Sequence, residues 1–350
     1  MYSLEELGWC EFFRNQLIGQ TDLVPARIAE ENRELYRIFC EQGEFLAELA
    51  GRVRHEAQSR SVLPAVGDWV QVQLRREQRR ATISAVLARK SKFSRKTAGR
   101  KTEEQMVAAN VDVVFLVSSL NLEFNTRRIE RYLALAWDSG ARPVLVLNKS
   151  DLCEDPSSFR NSAERVAAGV PVLLASAVRG DGLSEMREIL GQHVTAALLG
   201  SSGVGKSSLI NALLGNRNRE TREIRAGDDR GRHATTSRQL FLVPGGGILI
   251  DTPGMRELQL WDAGSGIEQA FDDVSELAAG CKFRDCRHQS EPGCAVRDAV
   301  GTERLASYQK LVREEQFFEA KQDARIRATR TKELRVLMKR QKAFYRDRGR

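Results

Sequence analysis

The run Gly200-Ser201-Ser202-Gly203-Val204-Gly205-Lys206-Ser207 constrains the fold more than any other part of the chain. It lies between the apolar stretch Val194-Thr195-Ala196-Ala197-Leu198-Leu199 and an amphipathic stretch from Ser208 to Leu214. It matches G-x-x-x-x-G-K-[ST] in the strand, loop and helix context that this pattern requires. The glycines let backbone N–H groups turn inward around an anion, and the N-terminus of the following helix adds positive potential. Lys206 is long enough to reach the outer phosphate oxygens of a nucleoside triphosphate, and Ser207 offers a hydroxyl to Mg²⁺. Ser208, next in the chain, completes the candidate phosphate set.

The surrounding sequence supplies the sheet that such a loop needs. From about residue 105, nearly continuous apolar runs alternate with helical stretches: Val111–Val117, Pro143–Leu147, Pro171–Leu174, Gln239–Val243 and Gly247–Ile250. Runs of this kind are buried on both faces, which predicts an α/β domain with a mostly parallel sheet. Two of the runs end in chemically suggestive turns. Asp251-Thr252-Pro253-Gly254 places a carboxylate at a strand's C-terminal end, where it can hold Mg²⁺ through water, and Gly254 can offer an N–H to a γ-phosphate. Asn148-Lys149-Ser150-Asp151 follows Pro143–Leu147. There Asp151 suits guanine N1–H and the exocyclic N2–H₂, the Lys149 stem can cover the base, and Asn148 can brace the loop. Ser176-Ala177 would aim the Ala177 N–H at guanine O6. Adenine would leave a buried carboxylate unpaired, so this arrangement discriminates strongly. Either four-residue motif occurs by chance when isolated; beside the phosphate loop they complete a GTP or GDP site.

The order of these elements is unusual, because the base-reading tetrad at 148–151 precedes the phosphate loop at 200–207. In an ordinary GTPase the phosphate loop comes first, so the same site here would be assembled from a circularly permuted chain. The succession Asn148–Asp151, Ser176-Ala177, Gly200–Ser208, Gly231-Arg232-His233-Ala234-Thr235-Thr236 and Asp251–Gly254 resembles the circularly permuted GTPases. Within them it is similar to the RsgA-type family of small-ribosomal-subunit-dependent GTPases, from near residue 34 to near residue 294. The resemblance implies an N-terminal oligonucleotide-binding barrel, a permuted P-loop GTPase domain and a C-terminal zinc domain. It also implies a role in late small-subunit assembly through contact with ribosomal RNA, with hydrolysis driving release. Many GTPases orient the attacking water with a Gln after D-x-x-G; here that place is Met255, whose thioether cannot do so. His233 is the nearest polar alternative, the family points to it, and one of Thr235 and Thr236 is expected to ligate Mg²⁺. Intrinsic hydrolysis should then be weak and rise when a partner orders this loop.

Outside the nucleotide motifs, period-two apolar runs between residues 34 and 90 predict a small all-β unit of the size of a five-stranded barrel. Residues 1–30 look partly helical. Cys281, Cys286, His288 and Cys294 supply three thiolates and an imidazole within a short segment, a complete tetrahedral set for one structural Zn²⁺. From Glu303 the sequence is helical, with Leu305, Tyr308, Leu311, Phe317 and Phe318 as a packing stripe. The formal charge of +8 is concentrated in residues 321–350, which carry twelve Lys or Arg against three acids. That tail and the run from Arg89 to Lys101 suit a polyphosphate partner, although a solvated helix face has the same composition. No apolar run approaches a membrane span, and Met1–Glu6 is acidic where a secretory signal is basic, so a soluble cytoplasmic monomer is expected. The predicted division is 1–95 for the N-terminal extension and barrel, 96–261 for the GTPase domain, and 262–350 for the zinc domain and basic tail. Two other readings stay open: a nucleic-acid-binding module with a static nucleotide site, which intact Lys206, Ser207 and Asp251 oppose, and a small-molecule kinase or ATPase, which the tetrad opposes.

Overall fold

The structure, a computed structural model, describes residues 1–17, 22–32, 35–56, 60–96, 104–121, 124–215, 238–251, 264–317 and 320. Alternating apolar residues form strands β1 (Val24–Asn32), β2 (Leu35–Cys40), β3 (Gly43–Leu49), β4 (Trp69–Arg75) and β5 (Arg80–Val86). These close on themselves in the order β1-β2-β3-β5-β4, with β4 returning to β1 and the β3–β5 pairing parallel. Ala26, Ile28, Tyr36, Ile38, Phe45, Val70, Val72 and Ile83 fill the interior. The barrel expected from the sequence is therefore present, but its first strand lies where helix was expected. Of the described residues before β1, only Glu11–Arg14 are α-helical. β1 conceals itself in the sequence because it is buried on both faces: Ala26 and Ile28 point into the barrel, while Arg27 and Ala29 are also buried.

A hairpin of β6 (Lys92–Lys96) and β7 (Glu104–Ala109) follows. It occupies part of the basic run, whose first members serve internal pairs: Arg89 with Asp68 at 2.7 Å, Lys90 with Asp112 at 3.1 Å and Lys92 with Glu104 at 3.4 Å. Residues 97–101 of that run lie outside the described residues.

The second sheet is built from β8 (Val113–Ser119), β9 (Arg142–Asn148), β10 (Val172–Leu174), β11 (Thr195–Gly200), β12 (Gln239–Leu242) and β13 (Ile248–Asp251), in the spatial order β10-β9-β8-β11-β13-β12. All neighbours are parallel except β12 with β13. The chain enters at the centre, winds outward through β9 and β10, then returns to the other side of β8 with β11. That reversal makes the C-terminal ends of β8 and β11 a topological switch point, where open α/β sheets bind ligands. Burial on both faces explains the continuous apolar runs. Val113, Phe115, Val117, Val144 and Val146 face the helices Leu183–Leu190 and Lys206–Leu213. Val114, Leu116, Leu145, Leu147 and Leu199 face the helices Thr126–Ser139 and Pro156–Val166.

Two junctions tie the flanking parts to this sheet. On one side Glu30 of β1 pairs with Gln239 of β12, making the barrel continuous with the nucleotide sheet. Beside it the buried Arg27 guanidinium donates to the carbonyls of Leu7, Gly67 (3.3 Å) and Asn110 (3.2 Å) and to Thr195 Oγ1 (2.8 Å). Burial lowers its pKa to about 10, and the four acceptors make that burial tolerable. On the other side the helix Gly264–Ala270 and the helical residues 302–317 pack against Thr126–Ser139, and the helix Asp272–Ala278 is tied in through Arg304. A Cβ added to Gly266 would come within 2.2 Å of the Ala134 carbonyl, so the two helices touch through backbone. Arg304 donates to Glu130 (3.0 Å) and, through two nitrogens, to Asp273 (2.8 and 2.6 Å), and lies 4.7 Å over the Phe271 ring. Leu305 and Leu311 are buried and Tyr308 meets Phe271, while Phe317 is 63% exposed. Phe318 and the basic tail 321–350 lie outside the described residues. Among the described residues, no helix is long and apolar enough to cross a membrane.

Candidate functional site

Three loops meet at the C-terminal ends of β9, β10 and β11. The phosphate loop leaves β11 through Gly200, where a Cβ would stand 2.3 Å from the Val117 carbonyl, so the loop lies directly on β8. Gly203 and Gly205 take left-handed φ values of 80° and 97°, which L side chains rarely adopt. Val204 is buried beneath the loop, while Ser202, Gly203, Ser207 and Ser208 are exposed. Lys206 Nζ donates to the carbonyls of Gly200 (2.8 Å) and Ser201 (2.6 Å), which folds the ammonium over the loop at the start of the helix Lys206–Leu213.

Asn148 joins the loops. Its side chain is buried, its Nδ2 donates to the Val204 carbonyl (2.8 Å), and its Oδ1 accepts the Ala177 N–H (3.3 Å). One carboxamide thus spans the base-reading loop, the phosphate loop and the loop after β10. The approach is close enough that a Cβ on Gly205 would stand 2.2 Å from Asn148 Nδ2. Lys149 takes a left-handed φ of 65°, and the Ser150 N–H donates to the Ala175 carbonyl (3.0 Å). Ser176 Oγ donates to Asp151 Oδ1 (2.6 Å) and accepts the Arg179 N–H (3.1 Å), fixing the carboxylate at the rim of the site. Ala177 N–H is directed at Asn148, where the sequence suggested guanine O6. Asp251 ends β13, the strand beside β11, as the metal-holding role requires. His233, Thr235 and Thr236 lie outside the described residues, as do Thr252 to Met255, including Gly254.

Two contacts were not foreseen. Arg128 Nη1 donates to Ser201 Oγ at 2.9 Å, and the Tyr132 hydroxyl is 3.3 Å from the same atom. Both come from the helix Thr126–Ser139, whose N-cap Asn125 accepts the Arg128 N–H. The available signal was topological: a helix following β8 begins at the same end of the sheet as the phosphate loop.

A second cluster forms about the cysteine-rich segment. Cys281 Sγ lies 3.6 Å from His288 Nδ1 and 4.0 Å from Cys294 Sγ, and His288 Nδ1 lies 3.4 Å from Cys294 Sγ. All four ligand atoms, including that of Cys286, fall within 4.8 Å of one another. Around one tetrahedral Zn²⁺, with Zn–S about 2.3 Å and Zn–N about 2.0 Å, such atoms stand roughly 3.5–3.8 Å apart, so the donors fit that ion. Backbone N–H groups of Val296 and Ala295 hold the Cys281 thiol below its ordinary value, while burial pushes Cys286 up to about 11. The ligand loop is braced from outside: the Arg297 N–H donates to Cys294 Sγ (3.4 Å), and Gln309 Nε2 donates to the His288 carbonyl (2.7 Å). The Glu291 carboxylate accepts the N–H groups of Arg287, Gln289 and Ser290, which lowers its pKa to about 2.

Residues 86–261 match the family model described as RsgA GTPase. The chain is 46% identical over 331 residues to the small ribosomal subunit biogenesis GTPase RsgA of Opitutus terrae, covering 90% of each protein. Among solved structures it is similar to YjeQ from Thermotoga maritima, with a TM-score of 0.63, 28% identity and coverage of 84% of this chain and 99% of that one. It is also similar to YloQ, described as a circularly permuted GTPase, with a TM-score of 0.60, 25% identity and coverage of 86% and 97%.

Proposed function

The chain belongs to the RsgA GTPase family and is therefore a GTP-hydrolysing enzyme, and we propose that it acts on the small ribosomal subunit in the late stages of assembly, hydrolysis driving its release. The observation that carries this reading is the hydrogen bond from Asn148 to the Val204 carbonyl. It joins the base-reading and phosphate-binding motifs into one site although their order along the chain is inverted.

In this reading Asp151 takes the guanine donors, held in place by Ser176, and the Lys149 stem covers the base. Backbone N–H groups of residues 200–207 surround the phosphates, and Lys206 moves from the carbonyls of Gly200 and Ser201 to the outer phosphate oxygens. Ser207, Asp251 and one of Thr235 and Thr236 would hold Mg²⁺, which neutralises charge on the phosphate oxygens. His233 orients the attacking water, and Gly254 offers its N–H to the γ-phosphate. Cys281, Cys286, His288 and Cys294 would hold one structural Zn²⁺, which contributes folding free energy to a segment too small to bury a core of its own. The barrel and the zinc domain contact the subunit and its ribosomal RNA, and the protein works as a cytoplasmic monomer. Residues 1–95, 96–261 and 262–350 are its functional divisions.

Turnover of GTP and of ATP, each with and without purified small subunits, tests this. GTP turnover that is slow alone and rises with subunits is expected. An absence of stimulation would remove the ribosomal role, and a preference for ATP would remove the base assignment.

A further inference from the structure

The helix Thr126–Ser139 touches the phosphate loop with one set of side chains and the C-terminal helices with another. Arg128 and Tyr132, four residues apart and so on one face, both reach Ser201 Oγ. Glu130, Arg131 and Ala134 meet the C-terminal part: Glu130 accepts from Arg304 at 3.0 Å, Arg131 pairs with Glu314 at 2.6 Å, and the Ala134 carbonyl lies against Gly266. Ser201 is itself held twice, its hydroxyl by Arg128 and its carbonyl by Lys206 Nζ. A small cleft lined by Val117, Ser118, Ile129, Leu145 and Val204 adjoins this contact.

We infer that Arg128 is a positioning residue: through Ser201 it sets the phosphate loop and its Lys206, and the docking of the C-terminal helices on Glu130 sets Arg128. This rests on the GTP reading above and adds a route by which the zinc domain alters nucleotide affinity without touching the nucleotide. A 14-residue helix, capped by Asn125 at one end and by Gly140 with a φ of 83° at the other, joins the two contacts through continuous helical backbone. Any tilt imposed at Glu130 or Ala134 therefore carries Arg128 and Tyr132 with it.

The test uses the full chain and reads GTP affinity together with KM and kcat of subunit-stimulated hydrolysis. Arg128→Met and Ser201→Ala should each weaken GTP binding and raise KM by about tenfold, the scale of one charge-assisted hydrogen bond, with kcat little changed. Combining the two should cost no more than either alone, and Arg128→Lys should recover part of the loss. Arg304→Met should weaken GTP binding in the wild-type background but add little in the Arg128→Met background. If Arg128→Met does not fold, Arg128→Lys and Ser201→Ala carry the same comparison. A folded Arg128→Met with wild-type GTP affinity, additive losses in the double variant, or an equal effect of Arg304→Met in both backgrounds would overturn the inference alone. A wild type that does not bind GTP would instead overturn the functional reading on which it rests.

Discussion

Asn148 and Val204 share a hydrogen bond across 56 residues of chain, whereas Cys281 and Cys294 converge across thirteen. The nucleotide site exists only after a sheet has aligned the ends of β9, β10 and β11. Permuting the chain therefore leaves that site intact, because strand adjacency, and not sequence order, brings the loops together. At the sulfur cluster the dependence runs the other way. The segment from Cys281 to Cys294 contributes few buried apolar side chains, so on the proposed zinc reading a bound ion would hold the loop that presents the ligands. In one region the fold makes the site; in the other, on the zinc reading, the site would make the fold.

That contrast can be broken most forcefully at the cluster. Cys294→Ser should abolish metal retention and cost amide protection across residues 264–317, because structural zinc supplies on the order of 10 kcal/mol to such segments. The amides of β8, β9 and β11 should keep their protection. Metal analysis with hydrogen exchange checks this, and equal protection of both regions would contradict it. Next in size, His233→Ala should lower subunit-stimulated turnover by on the order of a hundredfold while leaving GTP affinity nearly unchanged. Unchanged stimulated turnover would remove His233 from the reaction.

A smaller effect probes the brace between loops. Asn148→Ala removes the donor to Val204 and the acceptor for Ala177, and should weaken GTP and GDP alike by about tenfold, the cost of leaving such groups unpaired. Titration of both nucleotides decides it, and a loss confined to GTP would show that Asn148 does not act through the shared loop geometry. The smallest of these effects is expected from Gly266→Ala and is read in stability. A methyl 2.2 Å from the Ala134 carbonyl should lower unfolding stability by about 1–3 kcal/mol. Denaturant unfolding measures this, and full stability would mean that the helices separate without cost.

The legibility of the molecule follows the same division. The phosphate loop, the tetrad and the cysteine cluster are contiguous or nearly so, and each carries its chemistry within a few residues. Strands β2 to β5 announce themselves through period-two alternation. β1 does not, since Arg27 is buried on a face where a polar residue reads as solvent-facing. The β6–β7 hairpin was hidden by its lysines and arginines, which composition assigns to solvent or to an anionic partner although Arg89, Lys90 and Lys92 have partners within the chain. The contact of Arg128 and Tyr132 with Ser201 depends on how one helix is turned against a loop some seventy residues away, which no local pattern encodes.

An inverted chain that builds one guanine-specific site should separate GDP from ADP in paired titrations in the presence of Mg²⁺. The full chain should bind GDP on the order of a thousandfold or more tightly than ADP, as expected when a carboxylate covered by the bound base reads donors that adenine lacks. Asp151→Ala should erase most of that preference. Equal affinity for GDP and ADP in the wild type, or an undiminished preference in Asp151→Ala, would contradict the account.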